Sequence, residues 1–256
     1  VNTNNNLEDY NDTLNQVFLD FENNKITRNW NGYKSFKYNF KGDFDNFKNY
    51  VKQYVSIRNK SENNSCLNKE NLNVKYEIDD KLPIQIVNNV IHDELKVLLK
   101  NYYKETIANN VWPLGDRQSN RYKAHNEPMS RLLHYECLPL IEKIVNCSLR
   151  PTYTYLSAYV KGADLPAHTD RQDCEYTVSF IVDKPENSNW NIYVDKYQQP
   201  IKYKGRFDET PPLDNCVPVD CDAGGLMLFQ GTDHIHFRDK LEYDYYNILL
   251  LHYCRV

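Results

Sequence analysis

The stretch "LPAHTDRQDC", residues 165–174, sets His168 and Asp170 two positions apart in a run that reads as strand and turn. Residues i and i+2 of a strand project from one face, so an imidazole and a carboxylate point at one spot. Further along, "GGLMLFQGTDHIHFRDKL" (224–241) reads as a Gly-Gly turn, an apolar strand, a second turn and a strand opening His234-Ile235-His236. Either histidine would complete a set of two imidazoles and one carboxylate, which holds iron(II) from one side and leaves positions open for reactants. His234 and His236 share a face, so alternation does not choose between them. Alone, His-x-Asp is a weak signal. In a chain with seven histidines, a surface turn closed by an Asx-type bond accounts for it as well.

Elements able to position these groups are visible around them. From Pro151 onward the chain breaks into eight short β-rich runs separated by Gly, Pro, Asp and Asn. They are "TYTYLSAYV", "LPAHTD", "EYTVSFIVD", "NWNIYVD", "QPIKYK", "GLMLFQ", "HIHFRDKL" and "YYNILLLHYC". The separation of Asp170 from the later histidines places the two halves of the set on the second and seventh runs, expected on facing sheets. Before them, "IQIVNNVIHDELKVLLKNYYKETI" (84–107) is helical in period, and "PMSRLLHYECLPLIEKIVN" (128–146) predicts a second helix kinked at Pro139. Helices followed by many short strands predict an α+β, mainly β fold: a jelly-roll core with helices packed on one sheet. Residues 1–80 read as a polar, partly helical N-terminal extension, with an amphipathic helix at 44–57 and Asn-rich loops on either side. Residues 81–256 form the main domain.

Composition narrows the classes. A formal charge of −4 with no Lys/Arg block argues against a nucleic-acid groove. No run of about eighteen apolar residues predicts a membrane span, and the N-terminal stretch lacks a secretory pattern. Seven cysteines without regular spacing are expected as reduced thiols, hence a cytoplasmic protein. Cys216 and Cys221 have no second pair to make a zinc knuckle.

With those runs in order, "PTYTYLSAYVKGADLPAHTDRQDCEYTVSFIV", "GGLMLFQGTDHIHFRDKL" and "NILLLHYC" resemble the iron(II)- and 2-oxoglutarate-dependent oxygenases, in a prolyl-hydroxylase-like branch. The resemblance covers roughly residues 85–255. It implies a double-stranded β-helix of the jelly-roll or cupin-like kind, and it selects His236 over His234 because His236 occupies a His-x-Arg position. The implied metal set is His168, Asp170 and His236. The implied reaction hydroxylates an unactivated C–H of a peptidyl side chain or small amino-acid-like metabolite, using iron(II), 2-oxoglutarate and dioxygen. Succinate and CO2 are the coproducts, and ascorbate is an expected stimulant.

Many relatives place a basic residue about ten positions after the distal histidine, where this chain has Tyr245, Tyr246 and Asn247. A buried dicarboxylate needs a cation. Arg238, on the same strand face as His236, is the expected anchor, with Arg171 in reserve. Tyr159 matches a family position whose hydroxyl bonds the cosubstrate. Tyr153 and Tyr155 share its face, either lining or filling the pocket. The polar loop 112–128 is expected at the mouth, with Arg117, Gln118 and Arg121 as candidate substrate contacts. His252 reads as a packed strand residue, and His92, His125 and His134 carry no ligand spacing. The missing late basic residue keeps an alternative open: a non-catalytic jelly roll that binds a metal or 2-oxoglutarate as a sensor.

Overall fold

The structure is a computed structural model that describes residues 4–28, 40, 42–61, 63–76, 83–199 and 205–256. Helix α1 (Asn4–Glu22) buries Leu14, Val17, Phe18 and Phe21, whose three- and four-residue spacing makes one apolar stripe. The Asn-rich start read as loop is therefore helix, because that stripe has a core to face. In α2 (Phe44–Lys60), Asp43 caps the N-terminus by accepting from the Asp45 and Asn46 amides, and Phe47, Val51, Tyr54 and Arg58 point inward. A short α3 (Lys69–Asn73) follows.

Residues 84–107 are not one helix. Strand β1 (Ile84–Val87) precedes α4 (Asp93–Ala108), which opens with Asp93 and Glu94 where the helix dipole favours acids. After β2 (Arg121–His125), α5 (Pro128–Val145) starts with Glu127 accepting from the Met129 and Ser130 amides. It continues through Pro139 and ends at Asn146, whose left-handed φ of 52° suits an Asn cap.

The remaining strands are β3 (Leu149–Val160), β4 (Leu165–His168), β5 (Tyr176–Asp183), β6 (Ile192–Gln198), β7 (Cys216–Val219), β8 (Leu226–Phe229), β9 (His234–Arg238) and β10 (Tyr245–Arg255). The sequence reading missed β1, β2 and β7, and the predicted run "QPIKYK" lies almost wholly outside the described residues. Two antiparallel sheets result, a six-stranded one ordered β1-β8-β5-β10-β3-β2 and a four-stranded one ordered β4-β9-β6-β7.

Alternation then divides each strand of the large sheet. Val178, Phe180 and Val182 of β5, and Leu249, Leu251 and Tyr253 of β10, join the helices in one core. Ile181, Tyr246, Ile248 and Phe229 turn the other way and pack against Ile192, Val194 and Val219 of the small sheet. The helices thus cover one face of the large sheet, and the space between the sheets is left for the site. All seven cysteines are free thiols, and among the described residues no helix is long and apolar enough to cross a membrane.

Candidate metal centre and its cavity

Strands β4 and β9 are hydrogen-bonded neighbours, with His168 directly opposite His236. The expectation of facing sheets is corrected here. A crossover connection returns the later strand beside the earlier one, so the imidazoles meet across a single ladder with ring centroids 4.2 Å apart. Asp170, just past the end of β4, brings Oδ1 to 3.6 Å from Nε2 of both histidines. Among the described residues, His168, Asp170 and His236 form one of two groups whose ligand atoms all lie within 4.8 Å of one another.

The histidine tautomers are set by main chain. His168 Nδ1 lies 2.7 Å from the Pro166 carbonyl and His236 Nδ1 lies 3.1 Å from the His234 carbonyl. A protonated Nδ1 donating to a carbonyl leaves the Nε2 lone pair facing Asp170, which is how metal-binding histidines are oriented. Asp170 is fixed on its other side. Its Oδ2 accepts from the Thr177 hydroxyl at 2.6 Å, and its amide donates to the Gly231 carbonyl at 2.7 Å. Burial works against the Asp170 carboxylate, yet His236 and His168 outweigh it and hold its pKa well below the usual range. Burial, then the neighbouring His236, lowers the pKa of His168. Both groups are biased to the forms that ligate.

His234 is turned away from this cluster: its Nδ1 lies 2.8 Å from the Asp195 carbonyl. The pairing of β9 with β6 shifts register between the Val194 and Gln198 pairs, which separates the surroundings of the two histidines.

Between the sheets lies a cavity of about 610 Å³ that contains the cluster. At one end Arg238 is only 3 % exposed. Its guanidinium stacks over Trp190 and Tyr246, and its Nη1 donates to the Trp190 carbonyl. Its Nη2 is buried with no hydrogen-bond partner among the described residues. An unpaired buried guanidinium nitrogen is costly unless an anion meets it. Tyr159 stands beside it, edge-on to Trp190 at 4.9 Å, and its hydroxyl accepts from Arg121 Nη1 at 2.8 Å.

Arg121 is buried rather than loop-exposed. It bonds Asp116 Oδ2 at 2.9 Å, Ser157 and Gln118 as well as Tyr159. Burial raises the Asp116 carboxyl, but Arg121 and the Ser119 and Gln118 amides outweigh it and hold the pKa at about 2. Arg171, Arg117 and Gln118 line the outer part, Arg171 on the exposed surface with its Nη2 3.0 Å from the Tyr153 hydroxyl. Tyr153 and Tyr155 line the cavity too.

The sequence reading passed over four contributors. Thr177 and Gly231 hold Asp170, Trp190 seats Arg238, and His125 joins the cavity wall from β2. His252 is buried but also lines the cavity, with Nδ1 3.1 Å from Thr177 Oγ1, and burial lowers its pKa to about 4. The second close group joins Asp170 to His252 and Cys174, whose thiol burial pushes up to about 12. A protonated thiol is a poor ligand, so the set with two ordered imidazoles is the better metal site.

No family model matches the sequence, and no curated protein sequence matches it. Solved structures do match in three dimensions. A prolyl hydroxylase from Trichoplax adhaerens, in complex with a hypoxia inducible factor oxygen degradation domain peptide fragment, aligns at a TM-score of 0.51 with 15% identity, over 84% of this chain and 94% of that one. The non-heme alpha-ketoglutarate-dependent carbocyclase SnoK from nogalamycin biosynthesis aligns at 0.51 with 13% identity, over 68% and 79%. AviO1 from Streptomyces viridochromogenes aligns at 0.51 with 17% identity, over 68% and 90%. The chain shares their fold. At these identities the likeness speaks for architecture, and the chemistry rests on the residues just described.

Proposed function

We propose that this protein is an iron(II)- and 2-oxoglutarate-dependent dioxygenase, with its two sheets forming a double-stranded β-helix. It is read as hydroxylating an unactivated C–H of a peptidyl side chain or small amino-acid-like metabolite. In this reading residues 81–256 are the oxygenase domain with its supporting helices, and 1–80 add helices to the outer layer. The carrying observation is the coexistence, in one cavity, of the His168/Asp170/His236 cluster and the Nη2 of Arg238, which has no hydrogen-bond partner among the described residues.

The donor set fits iron(II): two imidazoles and a carboxylate, each held by a second bond, on one side of a cavity that continues past them. When bound there, iron(II) with 2-oxoglutarate and dioxygen supplies the oxidant that inserts hydroxyl into the C–H bond, with succinate and CO2 as coproducts. Arg238 would pair with the far carboxylate of 2-oxoglutarate, and the Tyr159 hydroxyl, already accepting from Arg121, is free to donate its proton to the same group. Arg171 is less suited to that task because it is exposed and bonded to Tyr153. Arg117, Gln118 and Arg121 are read as substrate-side residues.

The test is an anaerobic titration of iron(II) protein with 2-oxoglutarate, followed by air. A visible charge-transfer band, then succinate, both lost in His168→Ala, is the expected result. No band at any concentration would overturn the reading. A band without succinate in the presence of candidate peptides would leave the sensor alternative, which the buried, anion-ready Arg238 also fits.

A further inference from the structure

A second cavity of about 500 Å³ adjoins the first and is lined by Trp112, Pro113 and Pro128 among others. Lys123, His125 and Tyr155 line both cavities, so they form a shared ridge. A small metabolite filling the space beside the metal cluster would leave this second cavity without a role. An extended chain crossing the ridge would use both.

Charge says what kind of chain. Arg117, Lys123, Arg171 and Arg206 all line the large cavity, and none has an ion-pair partner among the described residues. Two are held in place by neutral acceptors: Arg171 on Tyr153, and Arg206 Nη2 on the Arg117 carbonyl at 2.7 Å. The acids that line the two cavities do not balance them, and Asp173, which acts on Arg171, lines neither. Asp116 is engaged by Arg121, Asp170 belongs to the metal cluster, and Glu127 is buried under the hydroxyls of Tyr102 and Tyr103 and two helix amides. A cationic mouth on a chain of formal charge −4 is a local departure that focuses anions.

We propose that the substrate is an acidic peptide segment in extended form, laid across the Lys123–His125–Tyr155 ridge. Its reacting residue enters the large cavity and a flanking residue fills the Trp112 pocket. The proposal deepens the oxygenase reading and rests on it.

The test uses the full chain and fluorescence anisotropy. The probes are a fluorescein-labelled dodecapeptide of alternating Gly and Asp and its Gly-Lys counterpart. The acidic peptide is expected to bind about tenfold or more tightly than the basic one, with affinity falling as salt rises. Lys123→Glu with Arg206→Glu should weaken it by a similar factor, and Lys123→Arg with Arg206→Lys should restore it. Equal binding of the two peptides overturns the proposal. So does displacement by N-acetyl-aspartate amide as effective as by unlabelled peptide, which would mark a small-anion site. The iron(II)/2-oxoglutarate band is recorded on the same samples. A band without peptide binding defeats this inference alone, and peptide binding without a band defeats the oxygenase reading.

Discussion

Gly231 lies so close to Asp170 that a Cβ there would sit 2.2 Å from the carboxylate Oδ2 and 2.5 Å from the Thr177 hydroxyl. The glycine is required by proximity to the candidate metal ligand. Gly231→Ala should displace Asp170 and weaken iron(II) binding about tenfold or more, as loss of outer-shell support does. Thr177→Val should act in the same direction without crowding. Metal titration by calorimetry checks both, and unchanged affinity in both would dissociate this contact from metal binding.

His236→Ala should abolish iron(II) uptake, whereas His234→Ala should retain it, because His234 is engaged with the Asp195 carbonyl away from the cluster. The reverse pattern would reassign the distal ligand.

Arg238→Gln removes the charge but keeps a donor for the Trp190 carbonyl. The 2-oxoglutarate concentration for half-maximal band formation should rise about thirtyfold or more, as for truncation of one partner in a buried charged pair. Iron(II) affinity should change far less. An equal loss of both would point to general damage.

Arg58 and Glu136 form a 3.2 Å ion pair, each with a side chain at most 4 % exposed. Glu136 also accepts from Ser65 Oγ at 2.6 Å and the Cys66 amide at 2.7 Å, while Arg58 reaches Asn15 of α1. Arg58→Met leaves a buried carboxylate uncompensated and should cost about 3–5 kcal/mol in urea unfolding. A cost under about 1 kcal/mol would match an exposed pair instead.

His134 should make stability fall as the solution is acidified. Burial, then Arg131, holds its pKa well below 6.5. One ring nitrogen faces Arg131 Nη1 at 2.9 Å and the other the His252 carbonyl at 2.8 Å, a pattern only the neutral ring satisfies. The unfolded chain therefore binds a proton first, so the stabilisation is complete above about pH 6.5 and drains away below it. The expected slope from this group is at most about 1.4 kcal/mol per pH unit. His134→Gln should flatten urea midpoints measured between pH 7 and pH 5; an unchanged slope would assign the effect to other groups.

The strands that carry His168 and His236 were legible because alternation and spacing are local properties, while the choice of His236 rested on the resemblance. What stayed hidden was set by partners distant in sequence. The strand Ile84–Val87 was absorbed into a helical reading because four apolar-rich residues fit either period, and pairing with β8 decides. The helix Asn4–Glu22 was masked by its asparagines, although Leu14, Val17, Phe18 and Phe21 carried the 3–4 spacing. Alternation does not distinguish His236 from His234; the resemblance does so through the His-x-Arg position, and in the structure a register shift against β6 separates their surroundings. Thr177 and Gly231 bear on the candidate ligands through Asp170, a contact no periodicity announces.

The direct pairing of His168 with His236 has a consequence for how this protein can be monitored. The distance between the two imidazoles is an interstrand spacing, fixed by the ladder and not by any loop. A slip of one residue between β4 and β9 would turn one ring to the opposite face of the sheet. The proposed iron(II) site thereby makes metal uptake a ruler of strand registration: a preparation that folds compactly but pairs these strands wrongly is expected to look native in its helix content and to fail to take up the ion.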